Sequence, residues 1–454
     1  MLQRERTKVK TPIADFVKNY AKKDMSRFHM PGHKGRSFVG CELYDITEVN
    51  GADALYEAEG IIGESEANAT KLFGTAKTVY STEGSSQCIR SMLYLAVNYK
   101  KSKKRPYIIA SRNVHKSFLY AAALIDFDVV WLWPKEMHSL CSCKITAEQV
   151  EEELKRQEEL PAAVYLTSPD YLGSQADLKA IAEVCHKYNT ILAVDNAHGS
   201  YLHFLEEAMH PIDLGADICC DSAHKTLPVL TGGAYLQISK NAPTYFCENA
   251  KQTMALFGST SPSYLTMISL DLCNDYLEQE GREKLKRMVS YTKKTCDELR
   301  KNGWTVEETE PLKITIKSPD EITGITLAKQ LREGKIECEY ADDKYVVFMI
   351  SPENSQYDLD KIVQVLGKNS YGEAADIILK PVKCEQRVSI RQAIFAEHER
   401  ISATEAVGRV CGFPTVGCPP AIPIAVSGEV INEAAIKLFE YYGIMEVDVT
   451  RKDN

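Results

Sequence analysis

Between about residues 76 and 240, short and almost wholly apolar runs alternate with stretches of helical periodicity. That alternation confines the segment to an α/β fold with a mostly parallel sheet of about six or seven strands. The clearest unit starts at Ala162-Ala163-Val164-Tyr165-Leu166-Thr167 and breaks at Ser168-Pro169-Asp170. It resumes as a helix with Leu178, Ile181, Ala182 and Cys185 on one face, and returns as Thr190-Ile191-Leu192-Ala193-Val194-Asp195. A run so continuously apolar is covered on both faces. Its first charged residue, Asp195, is therefore expected at a strand's carboxyl end, where ligands bind in open α/β sheets. Similar runs occur at Pro106–Ala110, Asp128–Trp133, Ile218–Cys220 and Ala234–Ile238.

The flanks differ. Residues 1–60 show little periodicity and carry Phe28-His29-Met30-Pro31-Gly32-His33-Lys34-Gly35, which reads as a loop or arm. Residues 61–275 hold the sheet, and residues 276–454 read as a smaller α+β domain with helical stretches such as Ser269–Leu299 leading into a strand at Tyr345–Ile350. A chain of 454 residues, 44% hydrophobic, has ample length for such cores. Its net charge of −9 argues against nucleic acid or an anionic membrane as the main partner and suits a cationic small substrate. The first residues lack the apolar core of a secretory signal, and no stretch reaches the roughly 20 apolar residues of a membrane helix. The 14 cysteines include no C-x-x-C pair, so they read as reduced thiols of a cytoplasmic protein. Cys141, Cys143, Cys219 and Cys220 lack partners at zinc-ligand spacing, so no metal is expected.

Four groups stand where chemistry is expected. Lys225, in Asp221-Ser222-Ala223-His224-Lys225-Thr226, directly follows a buried strand. Burial lowers a lysine's pKa and supplies the neutral amine that a Schiff base needs; the plainer reading is a lysine at a strand's exit into solvent. Asp195 suits the carboxylate that faces the pyridinium nitrogen of pyridoxal phosphate (PLP), or it caps the turn at Asn196. Thr82-Glu83-Gly84-Ser85-Ser86 joins the strand at Val79–Ser81 to an amphipathic helix, offering free N–H groups and two hydroxyls to a phosphate, though an N-cap explains one serine equally. His115 heads another helix, where its ring could stack on a flat cofactor or simply begin the helix. All four lie at carboxyl ends of strands in one expected sheet, and such ends converge on one crevice.

Over nearly its whole length the chain resembles the bacterial ornithine/lysine/arginine decarboxylases of PLP fold type I, the aspartate-aminotransferase fold. The resemblance runs through the Phe28–Gly35 arm, Asp45-Ile46-Thr47-Glu48, Glu59-Gly60, the Gly84 turn and Asn113-Val114-His115-Lys116-Ser117. It continues through Asp195-Asn196-Ala197-His198-Gly199, Ser222-Ala223-His224-Lys225 and Ser259-Thr260-Ser261-Pro262-Ser263-Tyr264. It implies that Lys225 holds PLP as a Schiff base, Asp195 pairs with the pyridine nitrogen, His115 stacks on the ring and His198 sits near the ring oxygen. Ser85, Ser86, Ser222 and His224 would bind phosphate. Ser259 and Thr260 would reach the phosphate of a neighbouring subunit, in a homodimer or higher homo-oligomer whose dimer interface includes His29 and His33.

Towards the C-terminus, Glu405–Arg409 and the stretch from Pro419-Pro420-Ala421-Ile422-Pro423 to Gly428-Glu429 resemble the family's closing domain. The chain departs from the family pattern at Ala421 and Ser427, where glycine and proline are usual, at Asn196 in place of glutamate, and at Gly232-Gly233 in place of a polar pair. It resembles the compact subgroup without the extra N-terminal wing domain. The implied reaction is α-decarboxylation of a basic amino acid, arginine before lysine and ornithine. An aminotransferase on the same fold, or a binding protein without turnover, are the alternatives; for either reaction an arginine such as Arg387 or Arg391 could anchor the α-carboxylate.

Overall fold

The computed structural model describes residues 9–100, 104–375, 378–379, 381–417 and 421–451, so Pro419 and Pro420 lie outside the described residues. Seven strands form the main sheet: β1 (Lys77–Ser81), β2 (Tyr107–Ser111), β3 (Asp128–Leu132), β4 (Ala163–Thr167), β5 (Ile191–Asp195), β6 (Ile218–Asp221) and β7 (Ala234–Ile238). Their order is β1-β7-β6-β5-β4-β2-β3. β2 runs parallel to β3 and β4, whereas β7 is antiparallel to both β1 and β6. Every residue of β5, β6 and β7 is buried, as their mainly apolar character leads one to expect, and this includes Asp195, Asp221 and Gln237. The helix Leu178–Lys187 buries Leu178, Ile181, Ala182 and Cys185, starts at an Asp177 side-chain cap and carries His186 and Lys187 in its last turn. Burying an apolar side chain such as Leu178 or Ile181 contributes about 1.5–3 kcal/mol.

Contacts group the chain into two compact units. One comprises the chain up to Leu95, Val194–Met288 and Ser351–Glu353; the other comprises Ala96–Ala193, Val289–Ile350 and the chain from Asn354 onward. In the first, Phe73 packs on Phe204 and Tyr235. The arm region is not all loop: Pro12–Ala21 is a helix that buries Ile13, Ala14 and Val17. Its amphipathic pattern is only ten residues long, and its start is fixed from afar, where Asp271 accepts the Ala14 N–H at 2.9 Å.

In the second unit, Phe118 packs on Phe127 and Tyr165. A four-stranded antiparallel sheet forms from β8 (Thr305–Val306), β9 (Lys313–Lys317), β10 (Tyr340–Ala341) and β11 (Tyr345–Met349), in the order β10-β11-β9-β8. Only β11 was legible in the residue pattern; β8 and β10 span two residues each, too short for a period to emerge. The helical stretch expected over Ser269–Leu299 is resolved as Tyr264–Tyr276 and Arg282–Lys301, joined by a π-helical turn at Leu277–Gly281. Among the described residues no helix is long and apolar enough to cross a membrane.

Candidate active site

The first unit gathers most of the expected groups at the ends of β5 and β6. Asp195 closes β5 and is 3% exposed. Its Oδ1 accepts the Ala197 N–H at 3.1 Å and the Cys220 thiol at 3.5 Å. Burial pushes the Cys220 thiol well above its ordinary range, with the Asp195 charge acting in the same direction, so the sulfur stays protonated and donates. Lys225 sits in the short helix Ala223–Thr226 that follows β6, and its Nζ lies 2.9 Å from His198 Nε2. An amine and an imidazole at that distance share one proton between named atoms, the arrangement of a proton-transfer pair.

Beside them lies a turn built for an anion. Ser222 Oγ donates to Ser85 Oγ at 2.8 Å, bringing the hydroxyl before the lysine helix to the start of the helix Ser85–Tyr99. Gly84 has φ +72°, and a Cβ there would meet no atom closer than 4.0 Å, so the approach to the turn is open. The Gly84 N–H donates to Gly232 O at 2.7 Å, while Gly233 O accepts the His224 N–H at 3.2 Å and His224 Nδ1–H at 3.0 Å. Gly232 has φ +94°, and a Cβ would come within 2.6 Å of Thr82 O. The Gly232-Gly233 departure is thereby explained: the backbone must pass this close to tie the anion turn to the lysine helix. Burial lowers the His224 imidazole below its ordinary pKa, and the Lys225 charge adds to that.

Ser259 and Thr260 are exposed, and the Ser259 N–H donates to the Glu83 carboxylate at the approach to the same turn. Gly258 is required there because a Cβ would fall 1.9 Å from Tyr56 Oη. Gln87 braces the turn from within, accepting Ser81 Oγ at 2.6 Å and donating to Tyr56 Oη and Met254 O, both at 2.8 Å. Glu83 and Gln87 were missed in the sequence because polar residues beside a helix start carry no distinctive spacing.

His115 belongs to the second unit. It is the N-cap of the helix Lys116–Ile125, its Nδ1 accepting the Ser117 N–H at 3.2 Å, so the ring is held at the helix head. Lys116 N–H donates to Ala421 O at 3.1 Å. Ala421 has φ +60°, the left-handed conformation that favours glycine, which explains why glycine is usual there. The nearby Arg112 donates to Pro423 O and Ile424 O at 3.0 Å and pairs with Glu429 at 3.3 Å, stacking between Trp131 and Trp133. The Ser427 hydroxyl is buried and has no partner among the described residues. Arg391 is not placed as a carboxylate anchor: its guanidinium donates to Ala123 O at 2.7 Å and to Leu124 O at 3.4 Å, closing the end of the helix that His115 begins. Arg387 makes a surface contact with Glu385 at 4.0 Å.

The substitution at Asn196 also has a partner. Asn196 Nδ2 donates to Asp221 Oδ1 at 2.6 Å, so this place keeps a buried carboxylate, carried on β6 rather than after β5.

The family described as Orn/Lys/Arg decarboxylase, major domain, matches residues 11–322. An arginine decarboxylase of Bacillus subtilis is 29% identical, over 94% of this chain and 92% of that protein. One of Halalkalibacterium halodurans is 28% identical, over 93% and 91%. Among solved structures, the lysine decarboxylase of Francisella novicida superposes with a TM-score of 0.80 at 17% identity, over 98% of this chain and 81% of that one. A serine palmitoyltransferase of Sphingomonas wittichii gives 0.55 at 15% identity, over 78% and 82%. These superpositions establish PLP fold type I, and with the match over residues 11–322 the chain belongs to the Orn/Lys/Arg decarboxylase family, enzymes that decarboxylate basic amino acids.

Proposed function

We propose that this decarboxylase works with pyridoxal 5'-phosphate held at Lys225 and acts on arginine in preference to lysine and ornithine. The single observation that carries the reading is the Lys225 Nζ to His198 Nε2 contact of 2.9 Å, beside the buried carboxylate of Asp195. The residues fit the group chemically. The paired Ser85 and Ser222 hydroxyls and the open Gly84 turn suit a phosphate, joined by Ser86 at the same helix start. Asp195 suits a protonated pyridine nitrogen and Lys225 an aldehyde. His224 donates Nδ1–H to Gly233 O, so it can give a phosphate oxygen a second N–H only as imidazolium, the form a dianion favours. His115, fixed at its helix head, is the ring proposed to stack.

When bound, the cofactor supplies the electron sink for the pair released from the substrate's Cα–carboxylate bond. The chain's own residues do the rest. Asp195, anchored by two donors on Oδ1, would hold a protonated ring nitrogen by its charge. Lys225 Nζ would hold the cofactor's aldehyde carbon and, when not so engaged, can carry a proton. His198 Nε2, 2.9 Å away, can take that proton or return it, so the pair would be the acid–base couple of the site.

Arginine is favoured because relatives aligned over most of the chain bear that name, whereas the lysine decarboxylases are alike only in fold. Purified protein given each of the three amino acids is expected to release CO2 and agmatine fastest from arginine. Consumption of a keto acid would indicate transamination instead. A homodimer is proposed, with the arm at its interface: Phe28 is 96%, Val39 87% and Phe38 81% exposed on this chain. His29 and His33 shape that arm through Tyr20 (2.7 Å) and Asp45 (3.1 Å), and the exposure of Ser259 and Thr260 supports their proposed reach to a neighbour's phosphate. Sedimentation that gives a monomer with full activity would refute this. A cytoplasmic setting is supported by the thirteen described cysteines, none of which is in a disulfide.

A further inference from the structure

We infer that Asp221 is the positioning residue of this site: its buried carboxylate fixes the strand ends that carry Asp195 and Ser222. The inference rests on the reading that Lys225 and Asp195 hold PLP. Asp221 ends β6 and is 0% exposed. Its Oδ1 accepts Asn196 Nδ2 at 2.6 Å, its Oδ2 accepts Gln237 Nε2 at 3.0 Å, and His210 Nε2 lies 3.1 Å from both oxygens. The donors come from the residue after β5, from the loop before β6 and from β7, so one side chain joins three separate segments.

Its two sides lead directly to the cofactor residues. Asn196 follows Asp195, Ser222 follows Asp221, and Cys220, which precedes it, donates to Asp195. A shift of Asp221 therefore moves the carboxylate proposed for the ring nitrogen and the hydroxyl proposed for the phosphate together. Gly199 leaves the room that Asn196 occupies: a Cβ there would lie 2.1 Å from Asn196 Oδ1, so the amide is packed directly over that glycine.

His210, Cys219 and Asp221 are close enough together to suggest a metal site. The hydrogen bonds assign them differently. The Ile212 N–H donates to His210 Nδ1 at 3.3 Å, so Nε2 carries the hydrogen and points it at the carboxylate. Both carboxylate oxygens already receive amide donors. The cluster is a closed set of donors around one acceptor group, and every donor needs oxygen at position 221.

The test uses the full chain with PLP. Asp221→Ala leaves three buried donors without an acceptor, and is expected to weaken PLP binding by the apo-protein at least about tenfold, shift the visible band of bound cofactor and lower kcat more than KM. The exchange Asn196→Asp with Asp221→Asn restores a carboxylate–amide pair and leaves one carbonyl oxygen for His210 and Gln237. It is expected to return affinity and band to within about threefold of the parent protein. Asp221→Ala that folds and binds PLP with unchanged affinity and band overturns the inference, as does an exchange variant no better than Asp221→Ala. If Asp221→Ala does not fold, the exchange decides alone: recovered fold and affinity support the inference, and failure of either overturns it. A parent protein that binds no PLP would instead sink the underlying reading.

Discussion

Two lysines at strand ends, Lys225 in the first unit and Lys313 in the second, show how differently the same side chain can be kept from water. Lys313 begins β9 with its side chain 0% exposed, 3.4 Å from the equally buried Glu310. It is walled in so tightly that a Cβ on Gly173 would fall 2.9 Å from its Cδ. A buried ammonium is tolerated only with an opposite charge held in place, which makes the residue a fixture. Lys225 is only half-buried and faces an imidazole, which can exchange a proton with it. Lys313 is held by its carboxylate neighbour as a structural lysine; Lys225, beside an imidazole at an accessible strand end, is the lysine proposed to react.

The largest effect expected from this contrast is at Lys225. Lys225→Ala should lose the visible absorbance of bound PLP and reduce CO2 release by about a thousandfold or more, read by spectroscopy and a product assay. Normal turnover in that variant would break the comparison. Lys313→Met should leave PLP binding intact and yet lower unfolding stability by about 3–5 kcal/mol, because Glu310 is stranded. Adding Glu310→Gln should recover most of that loss in denaturant titration.

A smaller effect concerns Asp170, buried near the same lysine. Burial raises its carboxyl to about 6 from the usual 3.8, although Lys313 pulls it back. The folded chain thus holds that proton more tightly than the unfolded chain. The stability it contributes is complete below about pH 3.8 and is lost as pH rises through about 6, amounting to roughly 2–3 kcal/mol. Asp170→Asn should flatten that part of the stability–pH curve; an unchanged slope would reject the assignment. Smallest is Ala421→Gly, which relieves a left-handed alanine and should stabilise by up to about 1 kcal/mol, with Tm as the measure.

The site was legible in the sequence to the extent that strands announce themselves. Asp195 and Asp221 are the first polar residues after runs that stay apolar throughout, they end β5 and β6, and Ser222–Lys225 follows directly. Lys313 and Lys317 were not legible as buried. In Lys313-Ile314-Thr315-Ile316-Lys317 an alternating pattern implies a wet face, yet all five residues are buried. Nothing in the local pattern announces that Glu310, three residues earlier, neutralises the first of them. Asn196 looked like a loss of charge, and only the pairing with Asp221 reveals that the charge sits one strand away.

By itself the sequence determined the α/β class, the covered strands, the helix faces and which polar groups end up at strand ends, because burial and backbone periodicity act over neighbouring residues. The tertiary structure alone decided that β7 runs against its neighbours, that Lys225 meets His198, and that Asp221 gathers donors from three segments. Those outcomes depend on hydrogen bonds between distant residues, whose partners no local pattern can specify.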